Sequence, residues 1–371
     1  MNSQSAERLK RPMVKPALAL LLSKAWGRAW DSLFAHRLVV YICVLLAASV
    51  GAYGYWVRTH TIFACQADGY SAERYLAYCN GANYAEYEHG AFYFNMEPFV
   101  EDSVRNADVL FLGNSRLQVA FSTAPTAQWF SANSARYYLL GFSYYENAFF
   151  EGLLLSRIHP RARVYIINVN DFFDNSETVP VQTILHDSKA QDQYKLKKLW
   201  QDVHERVCGT FKALCGNKFV IFRSRVNGTY HTEGMAGSKP VPVSYDPVAD
   251  QNAAGSSIAI AIDFLSRFTR GKCVILTIVP YVGTKIETAE AIARGVGLKL
   301  VTPRSLEGLH TADGFHLDQP SARRWSQAFF QVAGPEIRSC LDHRDTAERE
   351  GTNADFKFHA DPVVRLTNRK E

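Results

Sequence analysis

A serine and a histidine in this sequence follow residue patterns that support nucleophilic catalysis. Ser115 comes two residues after Gly113, directly behind a short apolar run, and His316 comes three residues after Asp313. An Asp at that spacing can fold back in a turn, fix the imidazole tautomer and leave the other ring nitrogen free to take a serine proton. Ser115, His316 and Asp313 are therefore the candidate catalytic residues. A helix N-cap is the alternative role for the serine, and His310, which lacks an Asp at the same spacing, is the rival histidine.

Two further residues could stabilise negative charge on the oxygen of an attacked carbonyl. Gly141 ends a second apolar run, and its missing side chain would let its N–H approach a bound carbonyl group. Asn170 follows a third run, where its side-chain amide could donate a hydrogen bond to the developing charge. Together with the N–H of Ser115, these groups form a candidate oxyanion-binding set. The alternatives are a turn glycine and an Asx-turn residue.

The elements that must position these residues are predicted from short apolar runs that alternate with helical patterns. Near-continuous apolar runs suit strands buried on both faces, as in a parallel sheet. The predicted strands are 107–113, 136–141, 163–169, 272–279 and, more weakly, 298–303. The predicted helices are 143–158, 256–271, 288–297 and 320–334. This order predicts a three-layer α/β domain, in which ligands bind at the carboxyl ends of the strands.

In chain order, the motifs resemble the sequence blocks of the SGNH (GDSL-like) hydrolase superfamily. The matching segments are Gly113-Asn-Ser115 for the first block, Gly141 for the second, Asn168-Val-Asn170-Asp for the third and Asp313-Gly-Phe-His316 for the fifth. The resemblance spans roughly residues 107–335. Two positions depart from it, because Asn114 stands where the first block commonly has an acidic residue and Asn168 where the third block has Gly.

The resemblance implies a flavodoxin-like three-layer fold and acyl-ester chemistry that uses no metal or organic cofactor. Ser115 would attack a carbonyl group, His316 would take and return its proton, and Asp313 would orient His316. The oxyanion would be held by the N–H groups of Ser115 and Gly141 and by the amide of Asn170. Neither departure removes a catalytic group.

A membrane anchor is predicted from residues 38–57, which carry no charge. About 20 apolar residues are long enough to cross a bilayer as a helix. Residues 1–37 hold seven basic and two acidic residues, so the positive-inside rule places this arm in the cytoplasm and the domain outside. The sequence therefore predicts a bacterial-type, single-pass protein of the inner (cytoplasmic) membrane with a periplasmic or extracytoplasmic catalytic domain. A cleaved signal peptide and a buried core helix are the alternatives.

The charge of the rest of the chain is balanced, because the basic arm accounts for the whole net charge of +5. A balanced domain has no electrostatic surface for nucleic acid.

Cysteine usage favours an oxidising compartment. One cysteine, Cys43, lies in the predicted span, and the other six follow it. Six cysteines allow 15 pairings, of which the nearest-neighbour set would join Cys65 to Cys79, Cys208 to Cys215 and Cys273 to Cys340. Six free thiols are the alternative. No pair has C-x-x-C spacing, which disfavours zinc and thioredoxin-type chemistry.

The predicted organisation has five parts. They are a cytoplasmic arm (1–37), a transmembrane helix (38–57), an approach segment (58–106), the hydrolase-like domain (107–343, with an insertion at about 175–255) and a disordered tail (344–371). The approach segment could be a short connection to the membrane. Its aromatic stretch from Tyr84 to Phe99 could pack near the site, near the bilayer or in the core.

One anchor helix plus such a domain also resembles proteins that acylate cell-envelope polymers, such as those of alginate acetylation and teichoic-acid D-alanylation. Those proteins work beside a multi-span membrane acyltransferase. We therefore expect an SGNH-type serine esterase or O-acyltransferase that acts on an acylated glycan of the cell envelope or an exported polysaccharide. The alternative is a non-catalytic scaffolding or binding subunit of an envelope-polymer modification complex.

Overall fold

A computed structural model describes residues 37–80, 84, 86–143, 146–233, 239–304 and 306–350 of the chain. The chain divides into two units, Met1–Arg58 and Thr59–Glu371. In the first unit, helix α1 begins at Arg37 and continues to His60, at the start of the second. Its segment Val39–His60 is long and apolar enough to cross a membrane and has no buried residues. The predicted span is thus confirmed as a helix of suitable length, and residues 1–36 of the arm that was predicted to be cytoplasmic lie outside the described residues.

The second unit is built around a parallel four-stranded sheet with the strand order β3-β2-β4-β8. Its strands are β2 (Val109–Asn114), β3 (Tyr137–Phe142), β4 (Val164–Asn168) and β8 (Cys273–Thr277). Every residue of the first three is buried. The four stronger apolar runs therefore correspond to the four strands, as predicted.

Helices cover both faces of this sheet. Side chains alternate between the two faces along each strand, so neighbouring residues of one strand pack in different cores. Leu110 and Leu112 pack in one core with α6 (Ala148–Ile158), α9 (Gln251–Phe268) and α10 (Ile286–Gly295). Val109 and Phe111 pack in another core with α4 (Ser115–Phe121), α5 (Ala124–Ala132) and α11 (Gln319–Glu350). The α/β class with a parallel sheet is confirmed.

The approach segment is part of the fold rather than a loose connection. Strand β1 (Arg74–Cys79) forms an antiparallel sheet with β5 (Val220–Ser224) and β6 (Tyr230–Glu233), which we call the second sheet. The segment also contains the 3₁₀ turn Ile62–Ala64 and the helices α2 (Tyr87–Tyr93) and α3 (Val100–Arg105). Tyr84, Tyr87 and Phe92 lie in the core, so the core alternative for the aromatic stretch is the one observed.

The insertion at about 175–255 is helical only in part, as predicted, but it also supplies strands. It contains α7 (Val179–His186), α8 (Ala190–Thr210), the 3₁₀ turn Lys212–Leu214, strands β5 and β6, and β7 (Val241–Pro242). Strand β7 pairs with β9 (His310–Thr311).

The structure differs from the prediction at one strand and at one boundary. Residues 298–303 contribute an isolated bridge between Leu300 and Leu276 instead of a fifth strand. The exposed Lys299 and the nearby Pro303 explain this, since a central strand is buried and proline cannot donate to its ladder. Helix α11 continues to Glu350, past residue 344 where the disordered tail was predicted, because Ala, Glu and Arg are good helix formers. Residues 351–371 lie outside the described residues.

Three disulfides join Cys65 to Cys79, Cys208 to Cys215 and Cys273 to Cys340. This is the nearest-neighbour pairing, and Cys43 in α1 is free. The third disulfide ties β8 to α11 across the domain.

Candidate functional site

Ser115 is positioned by a tight turn between β2 and α4. A side chain at Gly113 would place its Cβ only 3.1 Å from the Cβ of Asn168 and 3.2 Å from that of Leu117, and the φ of +153° also favours glycine here. Asn114 caps α4, since its side-chain oxygen accepts a hydrogen bond from the N–H of Arg116 at 3.1 Å. Ser115 follows at the first helical position and is half-buried.

The departure at Asn114 has a structural explanation. Its side-chain nitrogen donates a 3.1 Å hydrogen bond to the backbone carbonyl of Asn170, at the end of the neighbouring strand β4. An aspartate could accept from the helix but could not donate to this carbonyl. Asn114 therefore caps α4 and also links the Ser115 turn to the segment that carries Asn170.

Ser115, His316 and Asp313 form a continuous hydrogen-bonded chain. The Oγ of Ser115 lies 2.8 Å from Nε2 of His316, and Nδ1 of His316 lies 2.7 Å from Oδ2 of Asp313. The other carboxylate oxygen of Asp313 accepts from the backbone N–H groups of Phe315, at 2.9 Å, and His316, at 2.8 Å. This arrangement can transfer a proton from the serine hydroxyl to the imidazole.

A short closed loop holds the histidine and the aspartate in place. The N–H of Ala312 donates to the carbonyl of His316 at 2.8 Å, and Gly314 turns the chain with a φ of +90°. The N–H of Val282 donates to the carbonyl of Gly314 at 3.1 Å, which fixes the loop against the segment after β8. The imidazole therefore reaches Ser115 from a supported backbone.

Asp313 is held in its charged form. Partial burial acts to raise its pKa, but the hydrogen bond and the electrostatic interaction with His316, with the two backbone N–H groups, outweigh burial and lower the pKa well below its usual value. A carboxylate that stays ionised can keep the imidazole in the tautomer whose Nε2 accepts a proton. Its side chain is 42% exposed, so the site opens to solvent on this side.

Asn170 carries a free hydrogen-bond donor. Its side chain is buried, and within the described part of the chain its Nδ2 has no hydrogen-bond partner. A buried N–H without an acceptor is unfavourable by about 1–3 kcal/mol, which a bound oxyanion would relieve. Nδ2 of Asn168 also lacks a partner among the described residues, but its Oδ1 accepts from the N–H of Val279 at 3.0 Å and so ties β4 to the segment after β8.

Gly141 lies inside β3, one residue before its end, and pairs with Gly113. A Cβ here would lie 2.9 Å from the carbonyl oxygen of Asn114, so this close approach requires glycine. The structure thus gives Gly141 a packing role beside the Ser115 turn, and its role as an oxyanion donor stays a prediction. His310 lies in β9 and pairs with Pro242.

Arg116, which was not among the predicted site residues, packs its side chain beside two aromatic rings next to Ser115. Its guanidinium lies 4.2 Å from the ring centre of Tyr281 and 5.7 Å from that of Phe315, and it pairs with Asp171 at 3.0 Å. The arginine side chain is only 5% exposed. Its position directly after the serine was the available signal, but the aromatic partners come from distant loops.

Glu151 supports the Ser115 turn from behind and was also missed. It is fully buried in α6, and its Oε1 accepts from the N–H of Gly113 at 2.8 Å. Burial raises its pKa well above the usual value, and the hydrogen bond from Gly113 offsets this only in part. The available signal was a lone acid in the apolar segment AFFEGLLL (148–155).

Among the described residues, one cluster has metal-ligand chemistry, namely His204 with Cys208 and Cys215. It does not fit a metal. The two sulfurs are joined in a disulfide, Nδ1 of His204 lies 3.0 Å from the hydroxyl of Tyr70, and Nε2 lies 3.2 Å from the carbonyl of Cys65.

No protein-family model, curated protein or solved structure matches this chain. Ser115, His316 and Asp313 are connected, and the unpaired amide of Asn170 is linked to them through Asn114.

Proposed function

We propose that this protein is a membrane-anchored serine esterase or O-acyltransferase of the SGNH type. The observation that carries the proposal is the chain from Ser115 Oγ to His316 to Asp313 at the carboxyl edge of a parallel sheet. In such sheets ligands bind where the strand order reverses. Here the order reverses at β2, the strand that Ser115 follows.

In the proposed reaction, Oγ of Ser115 attacks the carbonyl carbon of an ester while Nε2 of His316 takes the hydroxyl proton. The carbonyl oxygen becomes an oxyanion and accepts hydrogen bonds from the Asn170 amide and from the N–H groups of Ser115 and Gly141. The leaving alcohol takes the proton from His316, and the acyl group stays on Ser115. A second hydroxyl, from a sugar or from water, then gives its proton to His316 and attacks the acyl carbon. The bond from this carbon to Oγ of Ser115 breaks, and Oγ recovers the proton from His316.

The strand order supports the flavodoxin-like, SGNH-type part of the proposal. Numbered among the parallel strands alone, the order β3-β2-β4-β8 is 2-1-3-4, which matches the first four strands of the flavodoxin-like order. Ser115 follows β2, Asn170 follows β4, and the segment from Asp313 to His316 lies in the last loop before α11. This is the chain order of the corresponding blocks in that superfamily.

The substrate and the location are proposed from the anchor. An acyl group that is delivered across a bilayer emerges at the membrane surface, where a tethered domain meets it at high effective concentration. We therefore place the domain on the extracytoplasmic side of the inner membrane, acting on an acylated envelope or exported glycan beside a multi-span acyltransferase. The three disulfides suit that oxidising compartment.

The test uses the full chain in isolated membranes and a fluorophosphonate probe, which labels activated serines. We expect labelling that is lost in Ser115→Ala and kept in Ser131→Ala, a control at an exposed serine of α5. An unlabelled wild-type chain would favour the scaffolding alternative. The purified chain is then loaded with a small acyl ester, with and without oligosaccharide, since acyl groups that pass only to water would identify an esterase.

A further inference from the structure

Helix α8 packs on the domain with one face and exposes a second, apolar face. Tyr194, Gln201 and His204 are buried. The side chains at Leu196, Leu199 and Trp200 are 54%, 58% and 48% exposed. Their spacing of three and four residues puts these three side chains on one side of the helix.

The exposed apolar surface continues beyond the end of α8. Phe211 and Leu214, in and next to the following 3₁₀ turn, are 61% and 56% exposed. We call the five residues Leu196, Leu199, Trp200, Phe211 and Leu214 the α8 apolar face. Several large apolar side chains exposed on one segment are typical of an interaction site.

The segment that carries this face has an excess of basic residues. The segment 190–218 contains six Lys and Arg residues against three Asp and Glu residues. Lys195 and Lys197 flank Leu196 directly, and the Lys195 ion pair with Asp192, at 3.3 Å, is exposed. Exposed pairs of this kind contribute only about 0–1 kcal/mol, so the lysine can exchange its partner for a lipid phosphate. Leu and Trp on one face with Lys at the edges are typical of helices that lie in a membrane interface.

The α8 apolar face lies against the residues that directly follow α1. The ring centres of Trp200 and Phe63 are 6.4 Å apart, and the N–H of Gly216 donates to the carbonyl of Phe63 at 2.7 Å. Helix α1 ends at His60, only three residues before Phe63. An extended chain spans at most about 3.5 Å per residue, so Phe63 lies within about 10 Å of the end of α1. The headgroup layer of a bilayer is about 5–8 Å deep on each side, which is a similar distance.

We propose that the α8 apolar face docks on the anionic lipid surface of the membrane that holds α1. The five apolar side chains enter the headgroup region, and Lys195, Lys197 and their neighbours contact lipid phosphates. This inference rests on the anchoring role of α1 in the proposed function. Its consequence is that the domain stands on the bilayer in one orientation, at two attachment points, rather than moving freely on a tether.

The test measures the depth of spin labels in the full chain, reconstituted into nanodiscs of phosphatidylcholine with or without phosphatidylglycerol. Cys43 is replaced by Ser, and a single nitroxide is attached at Leu199→Cys. The matched control is Ile262→Cys, at an apolar residue of α9 that is similarly exposed, at 54% against 58% for Leu199. A third label, at Leu45→Cys in α1, reports whether the anchor is inserted.

We expect the label at position 199 to be roughly tenfold less accessible to a water-soluble nickel chelate than the label at 262, because polar solutes are excluded from the lipid. The protection should increase with phosphatidylglycerol, and Lys195→Gln with Lys197→Gln should abolish that increase. If the label at 45 is in lipid while 199 and 262 are equally accessible, docking is wrong and the anchor stands. If the label at 45 is accessible, anchoring itself fails. Spin–spin broadening at 199 without lipid dependence would identify a second copy as the occupant and would overturn the proposal.

Discussion

Two pairs of an acidic and a basic side chain in this molecule have similar distances and different surroundings. Asp313 and His316 are 2.7 Å apart, and their side chains are 42% and 27% exposed. Glu88 and Arg223 are 2.8 Å apart, and their side chains are 2% and 0% exposed. The first pair can exchange a proton with a bound substrate, whereas the second is closed to solvent.

The buried pair joins the two sheets. Arg223, on β5 of the second sheet, also donates to the carbonyl of Leu139 on β3 at 2.7 Å. Glu88, on α2, also accepts from the hydroxyl of Tyr230 on β6 at 2.8 Å. Removing one partner would leave a buried charge uncompensated. Burial therefore gives the Glu88–Arg223 pair a role in stability and leaves the Asp313–His316 pair accessible for chemistry. Variants can separate the two roles.

The largest expected effect is on activity. Ser115→Ala and His316→Ala should each reduce acyl-ester turnover by about 10³-fold or more, because each removes a member of the proton-transfer chain. Asp313→Asn should also reduce turnover, through the wrong imidazole tautomer. Thermal unfolding should be nearly unchanged in all three variants, since the pair is partly exposed. Full turnover in Ser115→Ala would contradict the assignment of the nucleophile.

The next effect is on stability. Glu88→Ala should lower the free energy of unfolding by about 3–5 kcal/mol, because it leaves Arg223 as a buried charge without its carboxylate partner. The control is Asp263→Ala, which removes an exposed pair with Arg267 on α9 and should change stability by less than about 1 kcal/mol. Chemical denaturation of both variants checks this. Equal losses in the two would mean that burial does not distinguish the pairs.

The site was predictable where its geometry is local. The Asp313-to-His316 spacing folds into one short turn, and the apolar run before Ser115 ends in the strand-to-helix turn that the glycine allows. Four strands were predictable for the same reason, because continuous apolar runs of that length are typical of buried parallel strands.

The second sheet was not predictable in this way. Strand β1 pairs with β5 across more than a hundred residues of intervening chain, and neither strand is a long apolar run. Such pairing depends on tertiary packing, here on the buried Glu88 and Arg223. Arg116 was missed for a similar reason, because its partners Tyr281 and Phe315 come from other loops.

Two buried asparagines, Asn168 and Asn170, allow the same comparison between a role in stability and a role in catalysis. Asn170→Ala should reduce turnover by about 10²–10³-fold, because it removes an oxyanion donor that has no other acceptor among the described residues. Asn168→Ala is the matched control, since it removes the 3.0 Å contact with Val279 and should act mainly on stability. Kinetics and thermal unfolding of both variants separate the effects. A normal turnover in Asn170→Ala would exclude it from the oxyanion-binding set.

The smallest expected effect concerns Glu151, a buried acid that, unlike Glu88, has no ion pair among the described residues. Burial raises its pKa, so the folded state favours the protonated form. Stability is then full below the ordinary glutamate pKa of about 4.3 and is lost as the pH rises toward the raised value, by up to about 1.4 kcal/mol per pH unit. Glu151→Gln keeps an acceptor for the Gly113 N–H and cannot ionise. Relative to wild type, the variant should gain stability over the pH range above the ordinary glutamate pKa and keep its turnover. The measurement is chemical denaturation across that range, and parallel curves for the two proteins would show that Glu151 is already ionised in the folded state.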